Sequence, residues 1–128
     1  VDNSVDGCPV VDPDTLVRHP GTPMTERELQ DAVVELAGYL GYLTFHPYDS
    51  RRSAPGWPDL VICGHGRCIV AELKRERGRV SAGQQRWLDE LALAGVETYI
   101  WRPWHWHAGE IEHVLQGGRD ARSGHDAL

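Results

Sequence analysis

The side chains best equipped for chemistry in this chain are two acids and one lysine: Asp59, Glu72 and Lys74. Lys74 is the sole lysine, and the other twelve of the 13 basic residues are arginine. It stands two residues after Glu72, just beyond the apolar run Cys68-Ile69-Val70-Ala71. Residues i and i+2 of a strand project from one face, so this spacing sets a carboxylate and an ammonium side by side. Asp59, at the start of a neighbouring strand, brings a second carboxylate. Two acids and a lysine converging at a strand end can hold a divalent cation and orient a water, which is the equipment phosphodiester hydrolysis needs.

Each residue also has a plainer reading. A Glu/Lys pair two apart is usually an ion pair on a solvated strand, and Asp59 after Pro58 is an ordinary strand-start acid. The apolar neighbours Ile69, Val70, Ala71 and Leu73 predict a strand buried on both faces. A buried acid and lysine are costly unless they have partners or a purpose, which favours the chemical reading.

The elements that must position these groups follow from pattern. Residues 1–23 carry Pro9, Pro13, Pro20 and Pro23 among Asp, Gly and Ser and read as an extended tail. Thr25-Glu26-Arg27-Glu28 has the form of a capping box, and the helix it opens runs to about Leu40, with Gly41 as its stop. At 100° per residue, Leu29, Val33, Leu36, Ala37 and Leu40 form its apolar stripe. Glu26 falls near the edge of that stripe, toward the core side, and Glu28 almost opposite, toward solvent. Tyr42 to His46 and Asp59 to Cys63 read as strands, separated by a polar loop from Pro47 to Pro58. Gly64-His65-Gly66-Arg67 makes a hairpin between two buried cysteines, and the third strand runs from Arg67 to Lys74. Arg75 to Val80 is a charged loop. Ser81 caps a second helix, along which Gln84, Trp87, Leu88, Leu91 and Leu93 lead to Gly95. Val96 to Trp101 alternates as a fourth strand, Ile111 to Leu115 forms a short helix, and residues 117–128 read as a second tail. The order αβββαβ predicts an α/β fold with a small mixed sheet, in one domain spanning 24–116.

Composition narrows the class. Charged residues are 25% and hydrophobic residues 41% of the 128, an ordinary globular balance. No apolar stretch approaches the roughly 18 residues a bilayer demands, and no signal-peptide pattern opens the chain. Three cysteines at irregular spacings do not make a disulfide framework and fit a reducing cytoplasm. A net charge of −6 argues against a nonspecific nucleic-acid coat. The arginines nevertheless gather around the candidate site: Arg51 and Arg52 before Asp59, Arg75, Arg77 and Arg79 after Glu72, and Arg86 beyond. Arg51, Arg52 and Ser50, with Arg75 and Arg77, are the candidate contacts to a phosphate backbone.

Gly56-Trp57-Pro58-Asp59 followed by Glu72-Leu73-Lys74 resembles the PD-(D/E)XK signature of restriction-endonuclease-like nucleases. The helical Thr25-Glu26-Arg27-Glu28-Leu29 is similar to the first-helix glutamate segment of archaeal Holliday-junction resolvases. Ser81-Ala82-Gly83-Gln84-Gln85-Arg86-Trp87-Leu88, then Gly95-Val96, resembles the VRR-NUC branch of that superfamily. The resemblance covers about residues 24 to 102. It implies a restriction-endonuclease-like core, Mg²⁺ or Mn²⁺ held by Asp59, Glu72 and the Leu73 carbonyl, and Glu26 completing the acidic cluster. It further implies that Lys74 orients the attacking water and that Gln84 braces the site or touches the phosphate, giving a 5′-phosphate and a 3′-hydroxyl.

The remaining features carry less. Cys63, His65 and Cys68 lack a second ligand pair at zinc spacing. Arg102-Pro103-Trp104-His105-Trp106-His107 is a surface-packed aromatic segment by this reading, with Trp104 and Trp106 as minor candidates for stacking on unpaired bases. The residues point to a metal-dependent DNA endonuclease of a bacterial or phage-infected cell, and the resemblance implies that it is selective for branched or flapped DNA such as a Holliday junction. The resemblance also implies a homodimer with no membrane association. The alternatives are a restriction-type or nicking nuclease, and a noncatalytic DNA-binding module on the same fold. Phage recombination, DNA repair and restriction are all compatible settings.

Overall fold

A computed structural model of the chain describes residues 23–47 and 54–117. Helix α1 (Glu26–Tyr39) precedes strands β1 (Leu43–Phe45), β2 (Leu60–Gly64) and β3 (Arg67–Leu73), followed by α2 (Ala82–Leu93), β4 (Glu97–Trp101) and the short helices α3 (Pro103–His107) and α4 (Glu110–Leu115). The strands form one sheet in the order β1-β2-β3-β4. β1 and β2, and β2 and β3, pair antiparallel, whereas β3 and β4 run parallel through the α2 crossover. The expected αβββαβ order with a small mixed sheet is therefore present, each element within a residue or two of its sequence bounds. Among the described residues, no helix is long and apolar enough to cross a membrane.

Local chemistry explains the boundaries. The Thr25 hydroxyl accepts from the Glu28 N–H at 3.0 Å, and the Glu28 carboxylate accepts from the Thr25 N–H at 2.9 Å, closing the capping box that starts α1. Gly41 ends it at φ 92°, a conformation glycine adopts without steric cost. Pro103 at the first position of α3 starts a helix in the aromatic segment, to which the sequence pattern assigns no element.

The two sheet faces differ, and the difference sets the site. On the first face Leu60, Ile62, Ile69, Ala71, Leu73, Tyr99 and Trp101 pack with Leu29, Val33 and Ala37 of α1 and with Ile111, Val114 and Leu115 of α4. The register Val61↔Val70, Cys63↔Cys68 and Glu72↔Ile100 puts these residues on the second face. There α2 packs against β4 and buries Leu88. The β1–β2 half of that face stays open: Leu43 and Phe45 are exposed. Hence the cysteines, expected to be buried, are not: Cys63 is half-buried and Cys68 exposed. Leu93, the last residue of α2, is also exposed.

A polar cluster ties the far end of the sheet together, and nothing in the sequence pattern announced it. The Arg67 guanidinium donates to both Glu97 carboxylate oxygens, at 3.2 and 2.7 Å, and also to the Tyr42 hydroxyl and the Val114 carbonyl. Tyr99 donates to Glu97 at 2.6 Å, and Tyr42 to the Leu115 carbonyl at 2.7 Å. This bidentate, buried pair links the starts of β3 and β4 to α4, the geometry in which a charge-assisted bond contributes most. Glu97→Gln keeps the shape and removes the charge. It should cost about 2 kcal/mol, read as a lower urea midpoint at unchanged slope.

Candidate active site

Antiparallel pairing of β2 with β3 brings the beginning of one strand to the end of the other. The pair Leu60↔Ala71 is the last of the ladder, so Asp59 sits one step on, opposite Glu72 and on the second face. Asp59 Oδ2 accepts from the Leu73 N–H at 2.9 Å, which pins the carboxylate against β3. Lys74 follows on the same face; its Nζ lies 3.8 Å from Glu72 Oε2, with the side chain only 14% exposed. The Lys74 N–H donates to the Trp101 carbonyl at 3.0 Å, so β4 holds the backbone that presents the ammonium. Asp59, Glu72 and Lys74 converge at one sheet end, as their spacing predicts.

Gln84 serves two ends at once. Its amide oxygen accepts from the Ser81 N–H at 2.8 Å as the third residue of the α2 capping box. Its Nε2 donates to Glu72 Oε2 at 2.8 Å. The helix cap thereby fixes which way the amide points, and the amide fixes the Glu72 carboxylate. Of the two roles considered for Gln84, the geometry gives the bracing one.

The loop before Asp59 is locked onto the same helix start. Trp57 meets Trp87 edge to face with centroids 4.9 Å apart, and Trp87 Nε1 donates to the Pro55 carbonyl at 3.1 Å. Gly56 adopts φ +83°, and a Cβ there would lie 2.6 Å from the Gly83 carbonyl carbon. Both the conformation and the space demand glycine. Gly56→Ala should therefore lower stability by about 2 kcal/mol or more, measured by thermal or urea unfolding, since backbone faces backbone and neither can yield cheaply.

Electrostatics make the acid pair unusual. Burial above all raises the Asp59 carboxyl, against the pull of the Leu73 N–H. Burial, and then the facing Asp59 carboxylate, push Glu72 up to about 8, and Lys74 offsets only part of this. Glu72 Oε1 is buried without a hydrogen-bond partner. A carboxylate oxygen so placed is expensive, and an adjacent cation is the natural remedy.

Glu26 is a different matter. It was expected on the core side, yet it is exposed, and its carboxylate meets the Arg75 N–H at a long 3.4 Å. α1 packs on the first face of the sheet, the acid pair lies on the second, and Glu26 can approach only over the sheet's end. It is near enough to raise Asp59 electrostatically but does not join the pair. Among the described residues, no three His, Cys, Asp or Glu side chains converge as a metal-binding group. Glu28, expected toward solvent, is half-buried and occupied in the cap.

Arg75 and Arg77 are exposed on the segment after Lys74, alongside Arg79; Ser50, Arg51 and Arg52 lie outside the described residues. Arg102 organises that segment, and sequence reasoning missed it. Its Nη1 donates to the carbonyls of Arg75, Glu76 and Gly78 at 3.0, 3.1 and 2.8 Å. His105 is buried and its Nδ1 accepts from the Arg102 N–H at 2.9 Å, so that nitrogen is committed to the backbone. Trp104 is exposed and stacks on His105, whereas Trp106 packs against the core. A scan against family models, a search of curated proteins and a search of solved structures each returned no match for this chain.

Proposed function

We propose that this chain is a metal-dependent endodeoxyribonuclease of the restriction-endonuclease-like, PD-(D/E)XK type, nearest in pattern to the VRR-NUC branch. The observation that carries the reading is the convergence of Asp59, Glu72 and Lys74 at one sheet end, with Glu72 buried beside the Lys74 ammonium. The donor set fits Mg²⁺ or Mn²⁺: hard carboxylate oxygens from Asp59 and Glu72, with the Leu73 carbonyl adjacent in sequence. Two protein carboxylates suffice for an ion that keeps several waters and takes its other contacts from phosphate. Such an ion lowers the pKa of a bound water and polarises a phosphoryl oxygen.

The chain's own groups do the rest. Asp59 and Glu72, once deprotonated, would supply the negative charge that holds the cation. Gln84 keeps Glu72 from rotating. Lys74 donates to the attacking water and offsets charge that builds on the phosphoryl oxygens during in-line displacement. Water attacks phosphorus as the P–O3′ bond breaks, leaving a 5′-phosphate and a 3′-hydroxyl. Arg75, Arg77, Arg51, Arg52 and Ser50 are the proposed backbone contacts; Glu26 acts on the pair through charge or a water rather than as a direct ligand. Among the described residues the site has no base-reading element, and DNA shape is the expected basis of selection. Branched or flapped DNA is the proposed substrate, cut by a homodimer with one site per strand.

The test is a panel of plasmid, linear duplex, flap and four-way-junction DNA incubated with Mg²⁺, Mn²⁺ or EDTA. Cutting that needs the metal, favours branched substrates and vanishes in Asp59→Ala supports the proposal. Metal-dependent cutting of linear duplex at fixed sequences would instead identify a restriction-type or nicking enzyme. DNA binding without cutting in any metal would leave a docking module on the same fold.

A further inference from the structure

The uncovered half of the second sheet face holds a feature the nuclease reading does not use. Cys63 and Cys68 are directly opposed in the β2–β3 ladder, one step from the hairpin turn. Their sulfurs lie 3.7 Å apart, with the Cys63 thiol donating to Cys68. Cys68 is exposed and Cys63 half-buried. Ladder pairs on both sides, Ile62↔Ile69 and Gly64↔Arg67, hold the two backbones in register. Thiols so placed need only small side-chain rotations to come within bonding distance.

We propose that Cys63 and Cys68 form a redox-active dithiol, a modification site that closes reversibly to a cross-strand disulfide. The co-reactant is a low-molecular-weight disulfide such as oxidised glutathione. Burial and the neighbouring Cys63 hold the Cys68 thiol up, so the exchange is run at about pH 8.5; there the ionised fraction of the exposed Cys68 attacks the disulfide, forming a mixed disulfide and releasing one reduced glutathione. The Cys63 thiolate then attacks the Cys68 sulfur and releases the second, so two protein thiols lose two electrons and two protons while one glutathione disulfide becomes two thiols. The sheet register favours the second step, because the resolving sulfur is already in contact. The pair lies four ladder steps from the acids, roughly 13 Å along the strands. Its closure therefore stiffens the β2–β3 hairpin without touching Asp59, Glu72 or Lys74.

The experiment uses the full chain carrying Cys8→Ser, equilibrated anaerobically in graded mixtures of reduced and oxidised glutathione, both folded and in urea. Products are read by intact mass after acid quench. The folded protein should lose two hydrogens and carry no glutathione. It should do so at a ratio of oxidised glutathione to the square of reduced glutathione about tenfold lower than the same chain in urea. By linkage, tenfold is about 1.4 kcal/mol of extra stability, and the oxidised form should melt about 5 °C higher. Cys63→Ser and Cys68→Ser should each stop at a glutathione adduct or fail to react. A folded protein that accumulates only adducts, stays reduced, or closes no more readily than in urea would overturn the proposal. Because wild-type Cys63 and Cys68 decide the outcome, a poorly folding serine variant does not weaken the test.

Discussion

Lys74→Ala is expected to cut DNA roughly 10²–10³-fold more slowly than the wild type at saturating Mg²⁺, with its affinity for DNA little changed. The ammonium acts on charge that develops only as phosphorus is attacked, so its loss belongs in the rate and not in ground-state binding. Its position leaves little slack. Nζ is 3.8 Å from Glu72 Oε2, and the Lys74 stem runs beside the turn that Arg102 holds closed, with its Cδ 3.5 Å from where a Gly78 Cβ would be. Arginine in its place is not conservative: a planar, forked guanidinium cannot occupy a space shaped for a point charge. Lys74→Arg should therefore remain at least about tenfold impaired. Mn²⁺ binding gives the control, since removing a cation next to two carboxylates should leave metal affinity equal or higher. A Lys74→Ala protein that cuts at the wild-type rate would end the catalytic reading of this residue; one that simply loses its metal would reassign Lys74 to holding the acids in place.

The sequence made the pair of acids legible because strand periodicity is strict. Once Glu72 and Lys74 lie two apart and Asp59 opens the preceding strand, antiparallel pairing must bring all three to one end. Helix caps were equally legible: Ser81 with Gln84 and Thr25 with Glu28 announce themselves by spacing alone, and the structure closes both boxes. Glu26 shows where periodicity runs out. Its angle around α1 is given by the sequence, but the face of the sheet on which α1 lies is a tertiary fact. That fact puts the helix across the sheet from the acids. Arg102 and the Arg67–Glu97 pair were invisible for a related reason, because a charged residue's partners depend on strands that are distant in sequence. The exposed Cys68 and half-buried Cys63 follow from α2 covering β4 and not β1, a choice of crossover position that no local pattern encodes.

In EDTA the protein should lose stability as the pH rises, opposite to the usual behaviour of a buried, ion-paired carboxylate. The folded Glu72 carboxyl is raised to about 8 from 4.5 by burial and then by the facing Asp59 carboxylate. Below about 4.5, folded and unfolded chains both hold the proton, and this contribution to stability is fully present. Between about 4.5 and about 8 the unfolded chain has released a proton that the folded chain retains, so each step up in pH favours unfolding. The contribution is gone once the pH has passed through the folded value. One proton limits the slope to about 1.4 kcal/mol per pH unit. Asp59, raised in the same direction, adds to the Glu72 slope and does not reverse it. Chemical unfolding in EDTA at half-unit steps from pH 5 to 9 measures the effect, and Glu72→Gln should flatten it. Mg²⁺ or Mn²⁺ should restore stability by an amount that grows with pH, because the site binds a cation only after giving up its proton. A wild-type profile that is flat in EDTA would mean that burial and Asp59 do not raise the Glu72 carboxyl. The same metal-induced gain at pH 5 as at pH 8 would place the ion somewhere other than between them.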